Sequence, residues 1–298
     1  MASLALPGYG VVLDVAIFGG SVMAGSGPVR GQAGGVGTKV VQQQGGQASP
    51  GGGQGGVRAV TRALDLLIEL SSWDRPVGLT ELARRVDLHP TTALRLLESL
   101  RSRRFVHQTA DRSYVLGSQT FEVGSAFLRN VSVWSQANQL ADQVAASTGE
   151  TASVGVLDNG QILYIAIARG QHDLGIASTP GTRHPAYCTS LGKAIMAELP
   201  TEKVAQILRD DPPVRLTPKT LVDTDSLWRE LGLVRKRGYA VDNEERTPGV
   251  VCVGAAIRDH QGKPVGALSI SGPATRMRDK GVTELGRAVA ASAQTFSP

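Results

Sequence analysis

Glycine is unevenly spread along this 298-residue chain: 17 of its 36 glycines fall in residues 1–56, which close on Gly51-Gly52-Gly53-Gln54-Gly55-Gly56. Glycine gives up more backbone freedom on folding than any other residue, and no hydrophobic repeat of period 3.6 or 2 runs through this stretch. Residues 1–56 therefore read as a disordered, glycine-rich tail. What packs into cores is expected from residue 57 onward, with room for about two domains.

At residue 57 the composition changes. Residues 57–117 carry ten arginines, no lysine and seven acidic residues, a net charge of +3. Arg30, Lys39 and Asp14 put the tail at +1, so only +1 of the chain's +5 remains for residues 118–298. The positive charge is concentrated in the first folded segment, as in a polyanion-binding module joined to a domain with another task.

Other classes drop out on composition. With 41% hydrophobic and 19% charged residues, the chain is neither an acidic disordered protein nor a membrane protein. Apolar runs such as residues 250–257 fall far short of the roughly 18 residues a spanning helix needs. Asp14 interrupts the apolar run 11–18 and no basic residue precedes it, which is unlike a secretory signal, so the expected location is cytoplasmic. The two cysteines, Cys188 and Cys252, exclude a disulfide framework and an all-cysteine metal site.

Within residues 57–117, Val60, Ala63, Leu64, Leu67, Ile68 and Leu70 recur at helical spacing and predict an amphipathic helix. Asp74-Arg75-Pro76-Val77-Gly78 breaks it. Thr80 is suited to cap a short helix over 81–86, with Leu82, Ala83 and Val86 inward. After the turn Asp87-Leu88-His89, Pro90 stands at the first position of a third helix, where a missing amide proton costs nothing, and Leu94, Leu97 and Leu100 mark its core side. Two helices joined by a three- or four-residue turn form a helix-turn-helix, whose last helix enters the major groove. The β-prone runs 105–108 and 113–116, separated by Thr109-Ala110-Asp111-Arg112, add a hairpin and make the module a winged helix.

The exposed side of the third helix is expected to present Thr91, Thr92, Arg95 and Glu98. Threonine near a helix N-terminus suits phosphates or bases, and arginine binds guanine through two hydrogen bonds. With Thr80 and the wing-tip Arg112, these are the candidate DNA contacts; the plainer alternative is a solvated face with Arg95 paired to Glu98. Arg101, Arg103 and Arg104 suit general phosphate attraction.

Here the sequence resembles a known family. Val60-Thr61-Arg62-Ala63-Leu64-Asp65-Leu66-Leu67, Thr80-Glu81-Leu82-Ala83-Arg84-Arg85-Val86-Asp87-Leu88 and Thr91-Thr92-Ala93-Leu94-Arg95-Leu96-Leu97 resemble the opening helix and helix-turn-helix of IclR-type transcriptional regulators. The likeness continues through Thr148-Gly149-Glu150-Thr151, Ala186-Tyr187-Cys188-Thr189-Ser190-Leu191-Gly192-Lys193-Ala194, Gly238-Tyr239-Ala240-Val241-Asp242-Asn243-Glu244-Glu245 and Gly249-Val250-Val251-Cys252-Val253-Gly254-Ala255-Ala256-Ile257. It closes on Ala267-Leu268-Ser269-Ile270-Ser271-Gly272-Pro273. Where the family more often has proline and a polar residue, this chain has His89 and Leu94. The resemblance implies a homodimer or homotetramer on double-stranded operator DNA, with a GAF-like C-terminal domain that binds a small molecule.

Residues 118–147 are mostly helix-compatible, with a break near 132–135, and read as a helical linker and dimerisation region; packing on the linker's own domain is the other reading. From residue 148 to 293 strands dominate. Residues 152–157 and 162–168 flank Asp158-Asn159-Gly160, a strong hairpin signal, and 250–258 and 265–271 flank His260-Gln261-Gly262-Lys263. Helical stretches lie between, at 191–199, 201–209 and 225–238, so the fold class is α+β, an antiparallel sheet covered by helices. Residues 294–298 read as a short tail.

Ser269 and Ser271 are two apart, so on a strand their hydroxyls share one face, beside a strand carrying Cys252. Ser190-Leu191 opens a helix whose free amides favour an anion. Together they suit a small carboxylate, and the resemblance implies an effector site at Ser190, Leu191, Asp242, Cys252, Ser269 and Ser271. The other readings are solvent-facing serines and, for Cys252, a small core residue. No catalytic set, metal or cofactor is expected: His184, Cys188 and Asp242 lack a hydrolase signature, and His172, His184, Cys188 and Cys252 match no zinc spacing. The stronger rival is a constitutive DNA-binding protein whose second domain serves oligomerisation, or a thiol switch through Cys188 and Cys252.

Overall fold

The computed structural model describes residues 2–5, 12–15, 57–129, 131, 134–171 and 179–296. The chain divides into two units, Met1–Gly124 and Ser125–Pro298.

In the glycine-rich stretch, which the sequence suggested to be tail alone, Ala2–Ala5 (β1) and Val12–Val15 (β2) pair antiparallel with Leu4 opposite Leu13. These β-prone runs lie either side of Pro7-Gly8, residues that favour turns. The remainder of the stretch lies outside the described residues.

The helical part of the first unit is built from Arg58–Ser71 (α1), Leu79–Arg85 (α2) and Pro90–Ser102 (α3), followed by Val106–Gln108 (β3) and Tyr114–Leu116 (β4), which form an antiparallel wing. Leu66, Leu70, Leu82, Ala83, Ala93 and Leu97 make its core, closed by Val106 and Tyr114 of the wing. Three expectations are corrected here. Val60, Leu64 and Ile68 do not face the core: they are 57%, 52% and 68% exposed, and α1 instead buries Leu66 and Leu70. The core stripe of α3 runs through Ala93 and Leu97 rather than Leu94. The N-cap of α2 is Gly78, not Thr80, because Val77 is held in a two-way backbone bridge to Tyr114 and the helix starts directly after it.

Ser118–Arg129 (α4) follows, and the second unit contains Trp134–Thr148 (α5), Thr151–Asp158 (β5), Gln161–Ala168 (β6), Arg183–Pro185 (β7), Ser190–Glu198 (α6), Thr201–Asp210 (α7) and Thr224–Arg237 (α8). It closes with Ala240–Asn243 (β8), Val250–Arg258 (β9), Pro264–Pro273 (β10), Ala274–Asp279 (α9) and Val282–Thr295 (α10). Residues 294 and 295, expected in a tail, belong to α10, which buries Ala293 beside Phe296 in the core. Six strands form one antiparallel sheet in the order β7-β6-β5-β10-β9-β8. The Asn159-Gly160 turn takes left-handed φ at both positions (49° and 78°), as a tight hairpin requires.

Helices α5 and α10 cover one face of the sheet, over Val154, Val253, Leu268 and Ile270. Helices α6, α7 and α8 cover the other, over Ile162, Ala240 and Ala267. Two glycines let α6 approach its neighbours so closely. A Cβ on Gly192 would stand 2.1 Å from the Ala186 carbonyl oxygen, and one on Gly254 of β9 would stand 3.1 Å from Ser190 Oγ. The N-terminal turn of α6 is thereby set directly on the middle of the sheet.

Candidate DNA-binding surface and effector site

On α3, Thr91, Arg95 and Glu98 are exposed and Thr92 is half-buried. His89 caps this helix, its Nδ1 accepting from the Thr91 amide at 3.4 Å and lying 2.9 Å from Thr91 Oγ1. Among the described residues, the ion pairs of this unit are Arg75 with Glu81 and Arg85 with Glu69, so Arg95 is not tied to Glu98. Thr80, relieved of capping, stands exposed in the first turn of α2. Arg112 is exposed at the wing tip with φ 64°, beside Asp111, whose carboxyl is held low by hydrogen bonds from Thr109 and Ser113. The five candidates thus lie on helix starts, one exposed helix side and a wing tip, positions from which a winged helix can reach a groove and its phosphates.

In the second unit, sheet register brings together what lies far apart in sequence. Asp242 is opposite Cys252, Cys252 opposite Ser271, and Ser271 opposite Thr151. Two residues along, Ala240, Gly254, Ser269 and Ser153 form the next row on the same face. Above Gly254 sits Ser190. Helix α6 begins at Ser190, as the sequence suggested, and is capped by Thr189, whose Oγ1 accepts from the Gly192 amide at 3.1 Å and whose carbonyl accepts from the Lys193 amide at 3.0 Å. The Ser190 and Leu191 amides bond no other described residue, and they point the helix dipole at this face. Leu191 contributes only its amide, because its side chain is buried in the core against Gly155.

The polar groups of this face are largely buried, Ser153, Ser190, Asp242 and Ser269 among them. Burial pushes the Asp242 carboxyl up to about 6, aided by the like charge of Glu245. Its Oδ1 accepts from the amides of Glu245 (2.8 Å) and Arg246 (3.4 Å), so it also orders the turn that follows β8. Burial pushes the Cys188 thiol up to about 12 and the Cys252 thiol well above its ordinary range. Tyr164 and His184 meet edge to face, centroids 5.2 Å apart, with the imidazole pushed down to about 4 by burial and then by the Arg246 charge. A neutral imidazole, protonated thiols, serine hydroxyls and free amides can bind a small polar molecule, and none of them is poised as a nucleophile. Among the described residues no three of His, Cys, Asp and Glu come together as for a metal ion; His172 lies outside them.

Because the folded-state value of Asp242 lies above that of an unfolded aspartate, the folded chain binds the extra proton, and stability falls as pH rises from about 4 to about 6 and is level above that. Asp242→Asn keeps the Oδ1 acceptor and removes the titration. Urea midpoints of the variant should lack the fall seen in the parent between those pH values; parallel curves would show that Asp242 ionises as it does in water.

The family description "IclR helix-turn-helix domain" matches residues 59–110, and "Bacterial transcriptional regulator IclR C-terminal" matches residues 125–298. The chain belongs to the IclR family of bacterial transcriptional regulators. It is 34% identical over 269 residues to the HTH-type transcriptional regulator BhcR of Paracoccus denitrificans, covering 90% of this chain and 91% of that protein. It is also 34% identical to the transcriptional repressor IclR of Escherichia coli, covering 80% and 89%. The crystal structure of Thermotoga maritima IclR superposes with a TM-score of 0.67 at 31% identity, covering 78% of this chain and 95% of that one. This IclR-family protein is therefore a DNA-binding transcriptional regulator rather than an enzyme, and among its described residues no helix is long and apolar enough to cross a membrane.

Sequence reasoning missed several residues of the IclR-family effector domain. Tyr164 and Arg246 carried no motif signal, and His184 was weighed only as a catalytic or metal residue. Lys193 and Glu245, quoted in separate motifs, are one buried ion pair at 2.5 Å, with Glu230 3.6 Å from the same ammonium. Glu150, of the Thr148-Gly149-Glu150-Thr151 motif, is a buried carboxylate held by Arg276 and Lys280, each at 2.7 Å. A lysine or glutamate with its charge buried signals a partner, but only register and packing say which one.

Proposed function

We propose that this IclR-family regulator represses a catabolic operon, binding paired operator half-sites as a homodimer or homotetramer in the cytoplasm and responding to a small carboxylate in its C-terminal domain. The observation that carries the effector half is the convergence of Ser269, Ser271, Cys252 and Asp242 beneath the free amides of Ser190 and Leu191. The exposed apolar stripe Val60, Leu64 and Ile68 on α1, and separately the exposed Phe121 (78% exposed) and Phe127 on α4, support self-association, since exposed apolar stripes mark interaction sites. An effector acts by binding two arrangements of the paired DNA modules with different affinity. Both thiols are held protonated, which weighs against the thiol-switch alternative.

The test is salt-dependent binding of the chain to its own upstream DNA, with and without a panel of small organic acids. Specific binding that one acid alters supports the reading; specific binding that no acid alters favours the constitutive alternative, and no specific binding overturns it. Within that assay, Arg95→Ala should lose about 1–3 kcal/mol of preference for operator over scrambled DNA. Arg112→Ala should weaken both DNAs alike, so identical profiles for the two variants would refute the division between base reading and phosphate contact. Ser269→Ala should bind DNA as the parent does when no acid is present but need a higher concentration of the active acid; an unshifted dose response would remove Ser269 from the site.

A further inference from the structure

Ser153, Ser190 and Ser269 are only 3%, 2% and 2% exposed, yet the hydroxyl of none of them bonds another described residue. Ser269 and Ser153 are register partners on one face of the sheet, and Ser190 stands over Gly254, the partner of Ser269 on the other side. Buried hydroxyls are ordinarily hydrogen-bonded, so three of them side by side without partners point to a bound molecule that supplies the partners.

The turn after β8 brings a charge to the same place. Asp242, whose side chain lies on the effector face, accepts from the amides of Glu245 (2.8 Å) and Arg246 (3.4 Å). Glu245 Oε1 accepts from Lys193 of α6, the helix that covers this face, and the Glu245 carbonyl accepts from Thr220 Oγ1 at 2.6 Å. The turn is thereby folded over the effector face and fixed there. Nearby cations are matched: Lys193 by Glu245, Arg237 by Glu230, and Lys219 and Arg278 by Glu244. Arg246 is different. It is half-buried, and among the described residues its guanidinium pairs with no carboxylate and bonds only the Thr247 hydroxyl, at 3.1 Å. Its charge lowers the values of Tyr164 on β6, His184 on β7, Cys188 before α6 and Cys252 on β9, so it stands within reach of the space those elements enclose. Asp242, at about 6, is mostly ionised near neutral pH and would repel an acid on this face; a cation beside it cancels that repulsion.

We propose that Arg246 is the residue that makes this site select acids: its guanidinium donates to the effector carboxylate, and a second polar group of the same small molecule meets the Ser153 and Ser269 hydroxyls. The Ser190 and Leu191 amides face the other carboxylate oxygen. This assignment deepens the effector reading given above and rests on it.

Lactate and lactamide, nearly equal in size and different in charge, are the probes, titrated by calorimetry into the full chain near neutral pH. Lactate should bind saturably and about tenfold or more tightly than lactamide. Arg246→Gln should bring lactate down to the level of lactamide, whereas Arg246→Lys should keep part of the preference, since lysine retains the charge but not the paired donors. Both variants should melt near the parent, because no carboxylate is left without its cation. Ser269→Ala should weaken lactate and lactamide alike. A preference for lactate that survives Arg246→Gln overturns the role of Arg246, and lactate binding still weakened by Ser269→Ala would then leave the effector reading intact. No saturable heat from lactate also overturns the assignment, while the acid panel on operator DNA decides the effector reading separately.

Discussion

Lys193→Ala is expected to lower the unfolding free energy of the effector unit by about 3–5 kcal/mol, the typical cost of removing one partner from a buried ion pair. Lys193 is fully buried, and its ammonium donates to Glu245 Oε1 and to the Val241 carbonyl oxygen, both at 2.5 Å. Without it, Glu245 keeps a buried charge with no cation in contact, and β8 loses a donor at the end of the sheet. A drop in urea midpoint with unchanged slope would report this directly. The double variant Lys193→Met, Glu245→Met should recover much of the loss, because apolar pairs of similar volume often replace a buried ion pair at little cost. If Lys193→Ala alone costs less than 1 kcal/mol, a common surface-pair value, water reaches the pair and it does not anchor α6 to the turn after β8.

Leu97→Ala should cost about 2–5 kcal/mol in the DNA-binding module. Leu97 is fully buried at the centre of the α1–α3 core, beneath the helix face that presents Arg95. A module of about 60 residues has little stability in reserve, so this loss is comparable with its whole margin. Operator binding should disappear, whereas the thermal shift produced by an active acid, a property of the other unit, should persist. Joint loss of both would mean that the two units unfold as one cooperative block.

The architecture was largely legible because its cues are local. Asn159-Gly160 between two apolar runs, Pro90 at the start of α3, and Gly238 in the left-handed position that ends α8 each act through the conformational limits of one or two residues. The polar residues of Ser269-Ile270-Ser271 were assigned to one face by the period of a strand, which no packing can alter. Helix faces were less legible. On α1 both Leu66–Leu70 and Val60–Leu64–Ile68 have helical spacing, and hydrophobicity alone could not say which stripe meets the core. The cap of α2 was misplaced by two residues at Thr80, because a backbone bridge at Val77 decided where the helix begins, whereas α6 begins at Ser190 as its sequence suggested.

Chain order and residue period thus carry the succession of elements, the winged helix and the side of each strand on which a hydroxyl lies. Partnership across the chain is a different kind of information. That Asp242, Cys252, Ser271 and Thr151 stand in one row, that Tyr164 meets His184, and that Lys193 pairs with a glutamate 52 residues away follows from strand register and from helix α6 resting on Gly254. A buried charge is stable only with its counter-charge, and a pocket exists only where several distant segments close around it. Both conditions are met by the packed whole, so they became visible only when the sheet had been assembled.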